Sequence, residues 1–172
     1  MSGLARGFAP PPGRGYLLWG RVEELREMSN PPRGRIPIAE GLFAGALDSP
    51  RLRGSRCGAC GETTFPAQNG CPSCTAQGCE EVELSPRGTL WTYTVQRFPP
   101  PPPYTGETDD FVPYAVGYIE LPEGVRVEAR LTESDASRLA IGMEMELAVE
   151  PFAVDDEGRE VVTFAFAPIA VD

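Results

Sequence analysis

Four cysteines at Cys57-x2-Cys60 and Cys71-x2-Cys74, with ten residues between the pairs, constrain this chain more than any other feature. Two such knuckles in one short segment supply the four thiolates that a tetrahedral structural zinc requires, whereas a single CxxC also arises in redox motifs. Gly58 lies inside the first pair and Gly61 directly follows it, and Pro72 and Ser73 lie inside the second. These residues permit the tight turns that aim backbone amides at metal-bound sulfur. A zinc ribbon is expected, with Zn2+ as a structural ion held by Cys57, Cys60, Cys71 and Cys74. A disulfide pair or a redox CxxC is the competing reading. Cys79 has no partner at knuckle spacing and reads as a bystander thiol.

All fifteen basic residues are arginine, and the chain contains no histidine. This excludes a lysine Schiff base, histidine-activated nucleophiles and a histidine-ligated catalytic zinc within this chain. The acid–base groups left to it are carboxylates, tyrosine and cysteine, because arginine titrates too high. An enzyme acting by itself is therefore disfavoured. Charge is uneven: residues 1–56 carry nine arginines against five acids, whereas residues 57–172 carry six against twenty, a net −14. A surface that displaces counterions from a polyanion should be basic, so no nucleic-acid partner is expected. No apolar run reaches the roughly 20 residues of a membrane helix, and the N-terminus, with Arg6, Arg14 and Pro10 to Pro12, lacks the apolar core of a signal peptide. A cytoplasmic protein without a membrane partner is expected, in a compartment where thiolates stay reduced.

The chain divides into four stretches. Residues 1–35 are rich in Pro, Gly and Arg around one amphipathic helical candidate, with Leu18, Val22 and Leu25 at helical spacing and Trp19 beside them. This stretch reads as a flexible or partner-docking extension. Met28 is a second candidate start, which leaves open whether residues 1–27 belong to the native protein. Residues 36–50, with Ile38, Leu42, Phe43 and Leu47, predict a short lead helix. Residues 51–84 form the ribbon, too short to bury a core without metal. Residues 85–172 change to strand patterns. Thr89, Trp91, Tyr93 and Val95 alternate with Leu90, Thr92 and Thr94, and Tyr114 to Leu121 makes a second strand. Val125, Val127, Ala129 and Leu131 face inward against Arg126, Glu128 and Arg130 in a third. A short helix over Glu133 to Leu139, capped by Thr132, precedes a fourth strand through Met143, Met145, Leu147 and Val149, and a fifth runs from Glu160 to Phe166. Five strands with a helix between the third and fourth predict a mainly β chain ending in an OB-fold barrel, with another small barrel as the alternative.

Between the first two strands, Pro99 to Pro103 form a stiff polyproline-type segment that cannot join a ladder. Phe98, Tyr104 and Phe111 around it are candidate contact residues for a partner. Arg51, Arg53 and Arg56 are candidates to meet a phosphate or acidic partner residues, and are equally explicable as solvated charges.

The order of these pieces resembles the domain of unknown function 35 family, zinc-ribbon and OB-fold proteins associated with acyl-CoA enzymes. The likeness covers Leu52 to Pro168. It rests on Arg56 to Gly61, Phe65-Pro66, Cys71-Pro72-Ser73-Cys74, Gly88-Thr89-Leu90, Pro113 to Val116, Leu121 to Val127, Ile141-Gly142-Met143 and Phe164 to Pro168. The resemblance implies a noncatalytic partner of a thiolase-fold enzyme, of the thiolase or lipid-transfer-protein type. Such complexes act on CoA thioesters by thiolysis, condensation or retro-aldol cleavage, including that of steroid side chains. It further implies a hetero-oligomer such as a dimer of heterodimers, with the catalytic residues on the other chain. Arg51, Arg53, Arg56, Phe98, Tyr104 and Phe111 would then be CoA or partner contacts. An OB-fold nucleic-acid module and a four-thiolate redox protein are the competing functions.

Overall fold

A computed structural model describes residues 34–99 and 111–169. The proposed helix around Leu18 to Leu25, the proline run after Pro99 and Tyr104 lie outside the described residues.

Among the described residues ten strands carry the fold: β1 Arg35–Pro37, β2 Phe43–Ala44, β3 Arg51–Arg56, β4 Thr63–Thr64, β5 Glu80–Glu83, β6 Arg87–Gln96, β7 Tyr114–Glu120, β8 Arg126–Leu131, β9 Glu144–Val154 and β10 Glu160–Pro168. Strands β6 to β10 close a five-stranded barrel, in which β10 pairs with β8 in parallel and with β9 in antiparallel register. β6 joins β7 on one side and β9 on the other. Closure of this Greek-key order is the OB-fold. The third-strand pattern is observed, with Val125, Val127, Ala129 and Leu131 all buried.

Two sequence expectations are corrected. The 36–50 lead helix does not form: β1 pairs in parallel with β10, and β2 pairs with β3, with turns between them. The Ile38 amide continues the first ladder by donating to the Val162 carbonyl at 2.8 Å. Gly41 and Gly45 take φ of +74° and +73°, which breaks the helical run that the apolar spacing suggested. The helix over Glu133 to Leu139 is only a single 310 turn, Ala136–Arg138. Its cap is Asp135 rather than Thr132: Asp135 Oδ1 accepts from the Ser137 amide at 2.9 Å, while the Thr132 amide is held by the Phe166 carbonyl.

Ribbon and barrel share one apolar core. Phe43, Leu52 and Leu84 from the ribbon side are continuous with Leu90, Ile119, Val127, Met145 and Phe166 of the barrel. Phe65, between the knuckles, sets its ring edge-on to Phe164 of β10 with centroids 5.5 Å apart. Gly88 marks the tightest approach: a Cβ there would stand 2.6 Å from the Glu120 carbonyl oxygen and 2.8 Å from Leu121 Cδ2. Because the first obstacle is backbone, Gly88→Ala is expected to cost about 1–3 kcal/mol, measured by denaturant unfolding.

A bulge explains the split fate of two aromatics. On β6, Leu90 faces Ile119 and Thr92 faces Tyr118, so Trp91 is the extra residue. It turns outward, 46% exposed, while Tyr93 packs against the core. Tyr93 also donates its hydroxyl to the Leu139 carbonyl at 3.2 Å, tying the 310 turn to the barrel.

Candidate metal centre

The two knuckles repeat one backbone design. In the first, the Cys57 amide donates to the Glu62 carbonyl and the Gly61 amide returns to the Cys57 carbonyl, at 2.8 and 2.9 Å. In the second, the Cys71 amide donates to the Ala76 carbonyl and the Thr75 amide returns to the Cys71 carbonyl, at 2.8 and 3.0 Å. Both turns need a left-handed residue four places after the first cysteine: Gly61 at φ +78° and Thr75 at φ +61°. Glycine adopts this conformation freely, but β-branched threonine is strained there. Thr75→Gly is therefore expected to raise stability by about 1 kcal/mol, a gain that calorimetry of the metal-loaded protein would detect.

These turns bring the four sulfurs together. Cys57 Sγ lies 3.5 Å from Cys74 Sγ and Cys60 Sγ lies 3.6 Å from Cys71 Sγ, with all four within 4.8 Å of one another. Zinc–sulfur bonds of 2.3 Å in a tetrahedron place sulfurs about 3.8 Å apart, so the cluster has the dimensions of the ion's coordination sphere. Cys57 and Cys71 are buried, and Cys60 and Cys74 are exposed.

Electrostatics agree with a thiolate site. The Cys60 amide, then the Ala59 amide, hydrogen-bond to the Cys57 sulfur and lower its pKa to about 6. The Glu62 amide acts in the same direction on Cys60, but hydrogen bonds among the crowded thiols, led by those with Cys74 and Cys71, outweigh it and push this group up. Without a cation, four neighbouring sulfurs resist ionising together; a divalent ion favours all four thiolates. The donor set is complete and contains no histidine or water position. Cys57, Cys60, Cys71 and Cys74 are thus the residues that could hold a structural zinc.

Cys79 is half-buried, with its amide donating to the Asn69 carbonyl at 3.0 Å, and it does not belong to the four-sulfur group. Cys79→Ser is expected to leave metal content at one zinc per chain by elemental analysis.

The other sequence candidates are dispersed. Arg51 and Arg53 share a face of β3 and Arg56 falls on the other. Arg53 forms an ion pair with Glu81 at 2.9 Å, and Arg56 is exposed. Phe98 is exposed at the end of β6, and Phe111 packs at 6.0 Å from the Tyr114 ring. Sequence reasoning missed the outward role of Trp91 and the knuckle role of Thr75. The second was readable from the matched four-residue offset.

Residues 44–78 match the family described as ChsH2, rubredoxin-like zinc ribbon domain, and residues 81–150 match ChsH2, C-terminal OB-fold domain. A DUF35 domain-containing scaffold protein of Methanothermobacter thermautotrophicus is 35% identical over 117 residues, 67% of this chain and 83% of the relative. The chain belongs to the DUF35 family. The benzoylsuccinyl-CoA thiolase subunit BbsA of Thauera aromatica is 33% identical over 70% of this chain and 78% of its own length. Among solved structures, a chain of an Ltp2-ChsH2(DUF35) aldolase superposes with a TM-score of 0.53 at 30% identity, covering 69% of this chain and 84% of that one. The DUF35 assignment and the four-sulfur geometry agree on a zinc ribbon joined to an OB barrel. Among the described residues, no helix is long and apolar enough to cross a membrane.

Proposed function

We propose that this chain is a noncatalytic accessory subunit of a thiolase-fold enzyme that acts on acyl-CoA thioesters. The observation that carries the reading is likeness over most of their length to a protein named as a thiolase subunit and to one found in an aldolase. The composition supports it: with neither lysine nor histidine, the chain has only carboxylates, tyrosine and cysteine to move protons, and four of its five cysteines lie in the metal centre. Its metal centre, with four thiolates, offers no open position for substrate. The reaction is assigned to the partner, as a thiolysis or a retro-aldol cleavage of the kind that shortens a steroid side chain. Arg51, Arg53 and Arg56, with Phe98, Tyr104 and Phe111, are proposed to meet CoA or the partner near its acyl tunnel.

Co-expression with thiolase-fold enzymes of the same organism tests the reading. The expected result is a hetero-oligomer on size-exclusion chromatography, with the partner more soluble and more active than when produced alone. Separate elution with unchanged partner turnover would refute it.

A further inference from the structure

The outer face of β6, β7 and β8 differs from the rest of this acidic half. Strand register sets Thr92, Tyr118 and Glu128 in one outward row and Thr94, Val116 and Arg130 in the next. Bulged Trp91 meets the Tyr118 ring edge-on at 6.4 Å, and the Arg126 guanidinium lies 4.0 Å over the Trp91 ring. A second stack follows along the strands, with Arg130 at 4.7 Å over Tyr114. The result is an aromatic stripe roughly 15 Å long on a rigid sheet.

Several of its polar groups have partners within the face. Arg126 pairs with Glu120 at 3.0 Å, and the Tyr118 hydroxyl donates to Glu128 at 2.8 Å. Covering the stripe leaves these hydrogen bonds intact, so the groups cost less to desolvate than they would unpaired. Trp, Tyr and Arg are also the residues that dominate the centres of protein interfaces.

We propose that this face, centred on Trp91 and Tyr118, is the surface on which the thiolase-fold subunit docks; the inference rests on the accessory-subunit reading above. Charge selects the occupant. With six arginines against twenty acids over residues 57–172, a polyanion and a second copy of this acidic half are both repelled by net charge, whereas a partner carrying basic groups around an apolar contact is attracted.

The test is the affinity of purified thiolase-fold enzymes of the same organism for wild type, Trp91→Ser, Tyr118→Ser and, as control, Ile141→Ser. Ile141 is 68% exposed in the turn before β9. Thermal midpoint and zinc content check that each variant is folded. Either face variant should weaken binding at least about tenfold, with the control unchanged. Trp19→Phe leaves Trp91 as the only tryptophan, and its emission should move to the blue in the complex. Wild-type affinity in both face variants, equal losses in the control, or unshifted emission would overturn the docking face while leaving the accessory role standing. If wild type itself does not bind, both readings fall. Self-association of wild type that Trp91→Ser abolishes would instead make the face a contact between copies and overturn the proposal.

Discussion

Replacing Cys71 by serine is expected to abolish stoichiometric zinc binding and to lower the thermal midpoint of the whole described fold, not of the ribbon alone. Cys71 is buried, and its sulfur faces Cys60 at 3.6 Å. A structural zinc contributes about 10–16 kcal/mol of apparent folding energy in small fingers, comparable to the 5–15 kcal/mol that holds a typical domain together. The effect spreads because Phe43, Leu52 and Leu84 belong to the same apolar cluster as the barrel, and Phe65 rests on Phe164. Elemental analysis and calorimetry should report the two losses together, and a chelator applied to wild type should reproduce them. A metal-free protein melting at the wild-type temperature would show that the core, rather than the ion, holds the ribbon.

Phe166→Ala should be the most damaging single change in the barrel. Phe166 is fully buried, sits opposite Leu131 in the parallel pairing of β10 with β8, and faces Leu147 across β9. Removing a buried phenyl ring costs about 3–5 kcal/mol through lost transfer energy and the cavity left behind. That loss falls at the seam where the barrel closes. A drop of this size in urea-unfolding free energy, with zinc content unchanged in the surviving folded fraction, is the expected result; a loss below about 1 kcal/mol would mean that the seam repacks.

The cysteine pairs were legible because metal ligation imposes spacing directly on sequence, and the β8 alternation because one strand face is buried and the other wet. What stayed hidden depends on contacts between distant segments. Ile36 to Leu47 carries apolar residues at spacings that suit a helix, yet the open edge of β10 and the partnership with β3 recruit its two ends as strands. Nothing local announces that partner. The bulge on β6 is similar: Trp91 and Tyr93 alternate faithfully in sequence, and only the register against β7 puts one outside and the other in. The Asp135 cap was misplaced by three residues because Thr132 and Asp135 are both competent caps. The Thr132 amide is bonded to the Phe166 carbonyl, and Thr132 is thereby held to the barrel.

The pairing of β1 with β10 also orders events during synthesis. Arg35 and Glu160, joined by an ion pair at 2.9 Å, are 125 residues apart. The first strand therefore waits, unpaired, until nearly the whole of the described chain has left the ribosome. The ribbon does not wait: Cys57 to Cys74 and the β3–β5 ladder are complete by Glu83. Metal capture can thus precede barrel closure, giving the emerging chain a folded anchor while the long-range pairings, which form slowly, are still impossible. Metal loading is thereby open to the chain before release, as soon as Cys74 and β5 have emerged.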